Sequence, residues 1–216
     1  FGRKQLGVDG WYQDPVRPTH TTGTYTASTP LVNGASQTGS TIATDGWASG
    51  AATLNKGDIF TIAGVNSVNP LSYSDNGRLQ QFVVTATTSD SSGAMATLPI
   101  SPSIITSGAL QTVSASPANN AVITVLGTTA AAGGTLATTT SPQSFVYHPD
   151  AFAFVMADLM KPGAGAESTT VRSKSLGFSI RMVEQYQIGT DQNPSRLDIL
   201  IGATTLQARL AARVWG

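Results

Sequence analysis

The sequence predicts a β-rich protein of the α+β class, and three observations support that prediction. Threonine and serine contribute 29 and 22 of the 216 residues, and these residue types favour strands and turns over helices. Short alternations of apolar and polar residues recur between turns rich in Gly, Asn and Asp, most regularly across residues 55–127. A single segment, from Ala151 to about Met160, instead has the all-round apolar composition of a buried helix.

Residues 1–54 are expected to contain the end of a helix followed by extended segments. The helix would cover Phe1–Leu6 and terminate at Gly7, a residue type common at helix ends. Short strands are predicted around Leu31–Val32 and Ser40–Thr44, each followed by a turn that contains glycine.

Residues 55–127 are predicted to form a small antiparallel barrel or sandwich that folds by itself. Turns are expected at Lys56–Asp58, Asp75–Gly77 and Ser89–Gly93, where Gly, Asn and Asp interrupt the apolar runs. The strands predicted between and after these turns are Ile59–Val65, Leu79–Thr87, Ala94–Ile100, Val113–Ala115 and Val122–Leu126.

Residues 128–144 are low in complexity and are interpreted as a flexible linker, which makes them the best domain boundary in the chain. Residues 145–216 follow as a separate region. Proline and aspartate after His148 favour a helix start there, and we expect that helix to be buried on nearly all sides. Alternation then predicts a long strand over Leu176–Ile188, a return strand over Arg196–Ile201 and a closing segment over Leu206–Trp215.

Composition excludes several functional classes. The chain has no cysteine, so disulfides and thiolate metal sites are impossible. Net charge is zero and only 11% of residues are charged, which is a poor basis for dedicated nucleic-acid binding. No apolar run approaches the ~20 residues of a membrane span. No charged residue occurs between Asp90 and Asp150, which suggests a subunit of an assembly or, alternatively, a solvated Thr/Ser-rich surface.

No catalytic or cofactor site is predicted. A serine triad with His148 and Asp150 could be drawn, but the sequence has no Gly-x-Ser-x-Gly turn to present the nucleophile. The two histidines, His20 and His148, lack further ligands at metal-binding spacing. The candidate functional residues are instead charged side chains that could pair across a hairpin or between subunits, namely Arg181, Glu184, Asp191, Arg196 and Asp198.

An ordered series of segments resembles the major capsid (coat) proteins of tailed phages, in particular the coat protein type of short-tailed Salmonella phages. Residues Lys56–Pro70, which read KGDIFTIAGVNSVNP, are similar to the opening of that family's inserted domain. Further similar segments follow in order: Arg78–Val84, Phe145–Phe152, Leu176–Arg181 with Tyr186 and Asp191, Arg196–Asp198 and Ala211–Val214.

The resemblance implies the capsid fold of tailed phages and herpesviruses, with axial and peripheral parts and an inserted antiparallel β-barrel. Residues 1–54 would begin the axial part, 55–127 would be the inserted domain, and 145–216 would be the C-terminal axial and peripheral part. The chain would be the C-terminal portion of a longer protein, because the family's N-terminal arm and most of its long helix would precede residue 1.

The implied function is that of a structural subunit, which self-assembles into an icosahedral shell around packaged phage DNA. Its partners would be other copies of itself in hexamers and pentamers, with scaffolding protein and portal during assembly in the host cytoplasm. DNA would be contacted only non-specifically on the inner face, and no cofactor, enzymatic activity or membrane is implied. The alternative that composition also fits is a β-rich adhesin or tail-fibre-like binding module.

Overall fold

A computed structural model describes residues 8–128, 134–163, 165–174 and 177–215. The chain divides into two compact units, which we describe separately. Unit 1 comprises residues up to Gln143 together with Trp215, and unit 2 comprises Ser144–Val214. The division falls within the segment interpreted above as a linker. The helix end predicted over Phe1–Leu6 lies outside the described residues.

Unit 1 contains nine complete strands and the first half of a tenth. In chain order they are β1 (Thr19–Thr21), β2 (Leu31–Val32), β3 (Gly39–Asp45), β4 (Thr53–Leu54), β5 (Ile59–Val68), β6 (Asp75–Val84), β7 (Thr88–Ser89), β8 (Met95–Ile104), β9 (Ile123–Val125) and β10 (Thr140–Tyr147). Six of them form one antiparallel sheet in the order β2-β3-β8-β6-β5-β9.

Backbone hydrogen bonds join the two ends of this sheet into a nearly closed barrel. The N–H of Val32, in β2, donates to the carbonyl of Ala121 at 3.0 Å, and the N–H of Ile123, in β9, donates to the carbonyl of Pro30 at 2.9 Å. Closure removes the exposed sheet edges that would otherwise invite pairing with other chains. The structure therefore has a barrel, which is one of the two architectures, barrel or sandwich, that strand periodicity predicted.

The interior of the barrel is a continuous apolar core. Alternate residues of β5, Phe60 and Ile62, point inward, and Phe60 stacks on Phe82 of β6 with ring centroids 5.7 Å apart. At the edge of the core Tyr25 meets Trp47 in an edge-to-face contact at 5.3 Å. The remaining large buried side chains come from all the barrel strands and include Val32, Ile42, Val84, Leu98, Ile104 and Ile123.

The barrel begins earlier in the chain than the expected boundary at Asn55. Strands β2 and β3, which lie within residues 31–45, supply two of its six strands, and β3 pairs with β8 some fifty residues later. Local periodicity carries no information about such a distant partner. Part of the segment interpreted as a flexible linker is also bonded to the barrel, because Leu136 is buried in the core and exchanges backbone hydrogen bonds with Tyr25.

Unit 2 contains the rest of β10 and six further strands, with two short 3₁₀ turns at Pro149–Ala151 and Ala208–Leu210. The strands are β11 (Phe152–Ala157), β12 (Glu167–Arg172), β13 (Ser179–Glu184), β14 (Ser195–Asp198), β15 (Leu200–Thr205) and β16 (Ala211–Trp215). Antiparallel pairing joins β11 to β15, and β12, β13 and β14 form a three-stranded sheet. Strand β16 is the neighbour of β10.

The helix predicted from Ala151 to about Met160 is wrong. The described structure has the turn at Pro149–Ala151 followed at once by strand β11, and Phe154 is 55% exposed rather than buried. A short apolar run does not distinguish a strand from a buried helix by periodicity, and here Phe154 pairs with Ala203 at long range. The predicted return strand over Arg196–Ile201 is interrupted at Ile199, because β14 and β15 pair with different partners.

Candidate assembly surface

Unit 2 has almost no interior of its own. Among its described residues only Ala151 and Ser179 are buried. Its large apolar side chains are mostly exposed to solvent, whereas those of the barrel strands are largely enclosed. Exposed examples include Phe145, Phe152, Val155, Met160, Phe178, Ile188, Ile199 and Leu206. Exposed apolar side chains in this number mark a surface that further polypeptide, of the same protein or of a partner, covers.

The β11–β15 pair presents the first part of this surface. The register places Phe154 opposite Ala203 and Met156 opposite Ile201, so apolar side chains recur on both strands. Every residue of β15 is exposed. A two-stranded sheet is marginally stable by itself in water, and further packing is needed to hold it.

The β12–β13–β14 sheet presents the second part. Val171 lies opposite Ile180, and Met182 lies opposite Leu197, so two apolar pairs cross the sheet. Val171 is 67% exposed and Leu197 is 71% exposed. We call the exposed apolar residues of β11 to β15 the apolar surface of unit 2.

Three of the five candidate charged residues meet beside this surface. Asp198 of β14 lies opposite Arg181 of β13 and accepts a hydrogen bond from its Nη2 at 2.5 Å. Arg196 reaches the same carboxylate through its Nε at 2.8 Å. Hydrogen bonds from Arg181 and then Arg196 hold the pKa of Asp198 below its ordinary value. Arg181 also donates to the carbonyl of Met160, which ties β13 to the segment after β11.

The other two candidates are placed differently. The side chain of Asp191 accepts a hydrogen bond from the hydroxyl of Tyr186 at 2.6 Å, and that bond raises the pKa of Tyr186. Glu184 lies opposite Glu167 of β12. Within the described residues neither Glu184 nor Asp191 joins an ion pair, so the five residues do not form one network.

Neither the apolar surface nor the position of Glu167 was predicted from the sequence. A signal for the surface was available, since Phe152, Phe154 and Met156 alternate with a period of two, as a strand requires. Nothing in the local sequence indicates that these side chains are exposed, because burial depends on which elements pack against the strand. Glu167 follows a loop of small residues, and only the β12–β13 register brings it opposite Glu184.

Other kinds of site find little support in the part of the chain that is described. No group of His, Asp and Glu side chains there could hold a metal ion. Nor does any helix among these residues reach the length and apolarity of a membrane span.

Comparison with known proteins identifies the family. The model of the family described as P22 coat protein, gene protein 5, matches residues 16–212. Among solved structures, the CUS-3 coat protein I-domain matches with 30% sequence identity over 47% of this chain and 96% of that one, at a TM-score of 0.33. No curated protein matches the chain. The family match spans both the barrel and the apolar surface of unit 2, so the chain belongs to the P22 coat protein family and is a structural subunit of a phage capsid.

Proposed function

We propose that the subunit assembles with other copies, in hexamers and pentamers, into an icosahedral shell that encloses packaged DNA. The observation that supports this proposal is the apolar surface of unit 2, which no other described residue covers. Strands β11 to β15 expose large side chains on paired strands that have no core beneath them. Covering such surface is the main source of free energy in stable assemblies.

We further propose that unit 1 carries the inserted domain of the tailed-phage and herpesvirus capsid fold. The residues before the barrel would contribute the start of the axial part, and 145–216 the C-terminal axial and peripheral part, to which 128–144 lead from the barrel. An inserted domain needs its two ends close together. Here the N–H of Thr22, on the way into the barrel, donates to the carbonyl of Thr139, on the way out, at 3.0 Å. The barrel strands in 31–45 belong with the inserted domain in this proposal.

The proposed partners follow from the same role. Scaffolding protein and portal would act during assembly in the host cytoplasm, and DNA would be contacted non-specifically on the inner face. A net charge of zero agrees with weak, unspecific DNA contact, since phosphate binding needs clustered cations. The proposal includes no catalysis, cofactor or membrane.

The charged residues have two proposed roles. Arg181 and Arg196 would set the register of the β13–β14 hairpin by converging on Asp198. Glu184 and Asp191 would be available for charge pairs with neighbouring subunits, because their carboxylates make no ion pair within the described chain. Charge complementarity of this kind fixes register between subunits more than it adds affinity.

The test replaces one residue of the apolar surface in the coat protein that carries this chain, followed by electron microscopy and sedimentation of the particles. Phe154→Asp is expected to abolish closed shells, because a carboxylate would be buried at a contact. Thr204→Asp is the matched control, since Thr204 is an exposed polar residue on the partner strand β15. Normal shells at normal yield from Phe154→Asp would contradict the proposal.

A further inference from the structure

Asp58 is a buried carboxylate that accepts hydrogen bonds from separate parts of unit 1. It is 1% exposed. Its Oδ1 accepts from Nε2 of His20 at 2.9 Å, and its Oδ2 accepts from the N–H of Gly23 at 3.0 Å and of Asn55 at 2.7 Å. A buried carboxylate is costly unless donors surround it, and here three donors converge on one side chain.

These donors come from two different segments. Asn55 and Asp58 belong to the turn between β4 and β5, at the entry to the barrel's longest hairpin. His20 and Gly23 belong to the segment by which the chain approaches the barrel. That segment, residues 19–25, pairs with residues 134–142, by which the chain leaves it, for example through His20 opposite Ser141. We call residues 19–25 and 134–142 together the neck.

At Gly23 the neck lies so close to residues 53–58 that a side chain would not fit between them. A Cβ on Gly23 would lie 2.1 Å from the carbonyl oxygen of Thr53 and 2.9 Å from Oδ2 of Asp58. Beside it, Thr24 and Thr53 exchange two backbone hydrogen bonds of 2.8 Å. The carboxylate of Asp58 and Gly23, which has no side chain, therefore lie at the same contact, where the neck meets residues 53–58.

We propose that Asp58 is a latch that fixes residues 20–23 of the neck against the turn at residues 55–58. The carboxylate contributes no apolar surface to the barrel core, so the barrel keeps its sheet when the latch is opened. Tyr25 and Leu136 anchor the middle of the neck in the barrel core, and the contact at the turn holds the residues before Tyr25 as well. This role also gives a physical reason for aspartate in the Lys56-Gly57-Asp58 turn. The inference concerns unit 1 only and does not depend on shell assembly.

The test measures amide hydrogen exchange by NMR on the 216-residue chain. Asp58→Asn weakens the latch on the barrel side by removing the carboxylate charge. Gly23→Ala weakens it on the neck side, because the added Cβ would collide with Thr53 and Asp58. Both are expected to speed exchange about tenfold or more at the amides that cross this contact, those of Thr24 and Thr53. The amides of Val32 and Ile123, which close the barrel, should change by less than about twofold.

Two matched variants serve as controls. Asp75→Asn removes a carboxylate that accepts from the N–H of Gly77 at 2.7 Å, but Asp75 pairs with Val68 at the far end of β5. Gly202→Ala adds a Cβ where no atom lies within 4 Å. Neither should change exchange at Thr24 or Thr53.

The outcomes separate a latch from a purely structural carboxylate. Unchanged exchange at Thr24 and Thr53 in either latch variant overturns the proposal. Equal acceleration at Val32 and Ile123 also overturns it, because Asp58 would then support the barrel as a whole. If Asp58→Asn fails to fold, Gly23→Ala decides the question, since it removes neither the carboxylate nor any side chain of the barrel core.

Discussion

Glu167 lies directly opposite Glu184 across strands β12 and β13, and these are the only two glutamates in the sequence. Like charges at opposed positions of an antiparallel pair repel and weaken the pairing. Both side chains are at least partly exposed, so water and salt screen the repulsion without removing it. The repulsion therefore lowers the stability of the β12–β13 pairing at this end of the sheet.

Removing one of these charges is expected to stabilise unit 2. Glu184→Gln should raise the free energy of unfolding by about 0.2–1 kcal/mol, and Glu167→Lys by a similar or larger amount. Urea unfolding followed by circular dichroism measures the change. The double substitution Glu167→Lys with Glu184→Lys restores a like-charge pair and should cancel the gain. A gain that persists in the double variant, or at high salt, would show that charge repulsion is not its cause.

Acid is expected to weaken the β13–β14 pairing through Asp198. Its pKa in the folded protein is held down first by Arg181 and then by Arg196, so folding favours the ionised form. The resulting stability is fully present above the unfolded-state pKa of about 3.9 and is lost as the pH falls through the folded value. The native chain should therefore lose more stability between pH 6 and pH 2 than Asp198→Asn. Parallel stability curves for the two proteins would contradict this.

Truncating a buried aromatic side chain of unit 1 is expected to lower the free energy of unfolding more than truncating an exposed one of unit 2. Phe82 is fully buried and stacks on Phe60, so Phe82→Ala should cost about 3–5 kcal/mol. Phe154 is half exposed and meets Phe178 edge-to-face at 6.0 Å, so Phe154→Ala should cost the isolated chain only about 1 kcal/mol. Thermal and urea unfolding of both variants tests the difference. Similar losses would mean that Phe154 is enclosed in the free chain.

The smallest fragment that folds by itself is expected to be residues 18–143 rather than 55–127. The shorter fragment lacks β2 and β3 with the core side chains Val32 and Ile42, and it also lacks Trp47, which follows β3. Without those strands the sheet cannot close, and β8 and β9 each keep an open edge. Size-exclusion chromatography and a thermal melt of the two fragments decide the matter. A cooperative melt of 55–127 as a monomer would contradict the expectation.

The strands that the sequence predicted best are those with strong local alternation. The predicted strand Ile59–Val65 lies within β5, and Ala94–Ile100 overlaps β8. Alternation is a property of neighbouring residues, and it was sufficient to predict these elements. The ordered resemblance to phage coat proteins was likewise present in the sequence, and the family match confirms it.

Composition and local pattern thus determined by themselves that this protein is β-rich and contains a barrel or sandwich, and the ordered resemblance indicated the capsid family. Only the tertiary structure decided which residues close the barrel, because β2 meets β9 about ninety residues later. It also decided that Phe152–Ala157 is an exposed strand, since its partner β15 lies nearly fifty residues away. The contacts of the Asp58 and Glu184 carboxylates were likewise decided only by the tertiary structure. Each depends on atoms brought together by long-range pairing, and local sequence patterns do not record such distances.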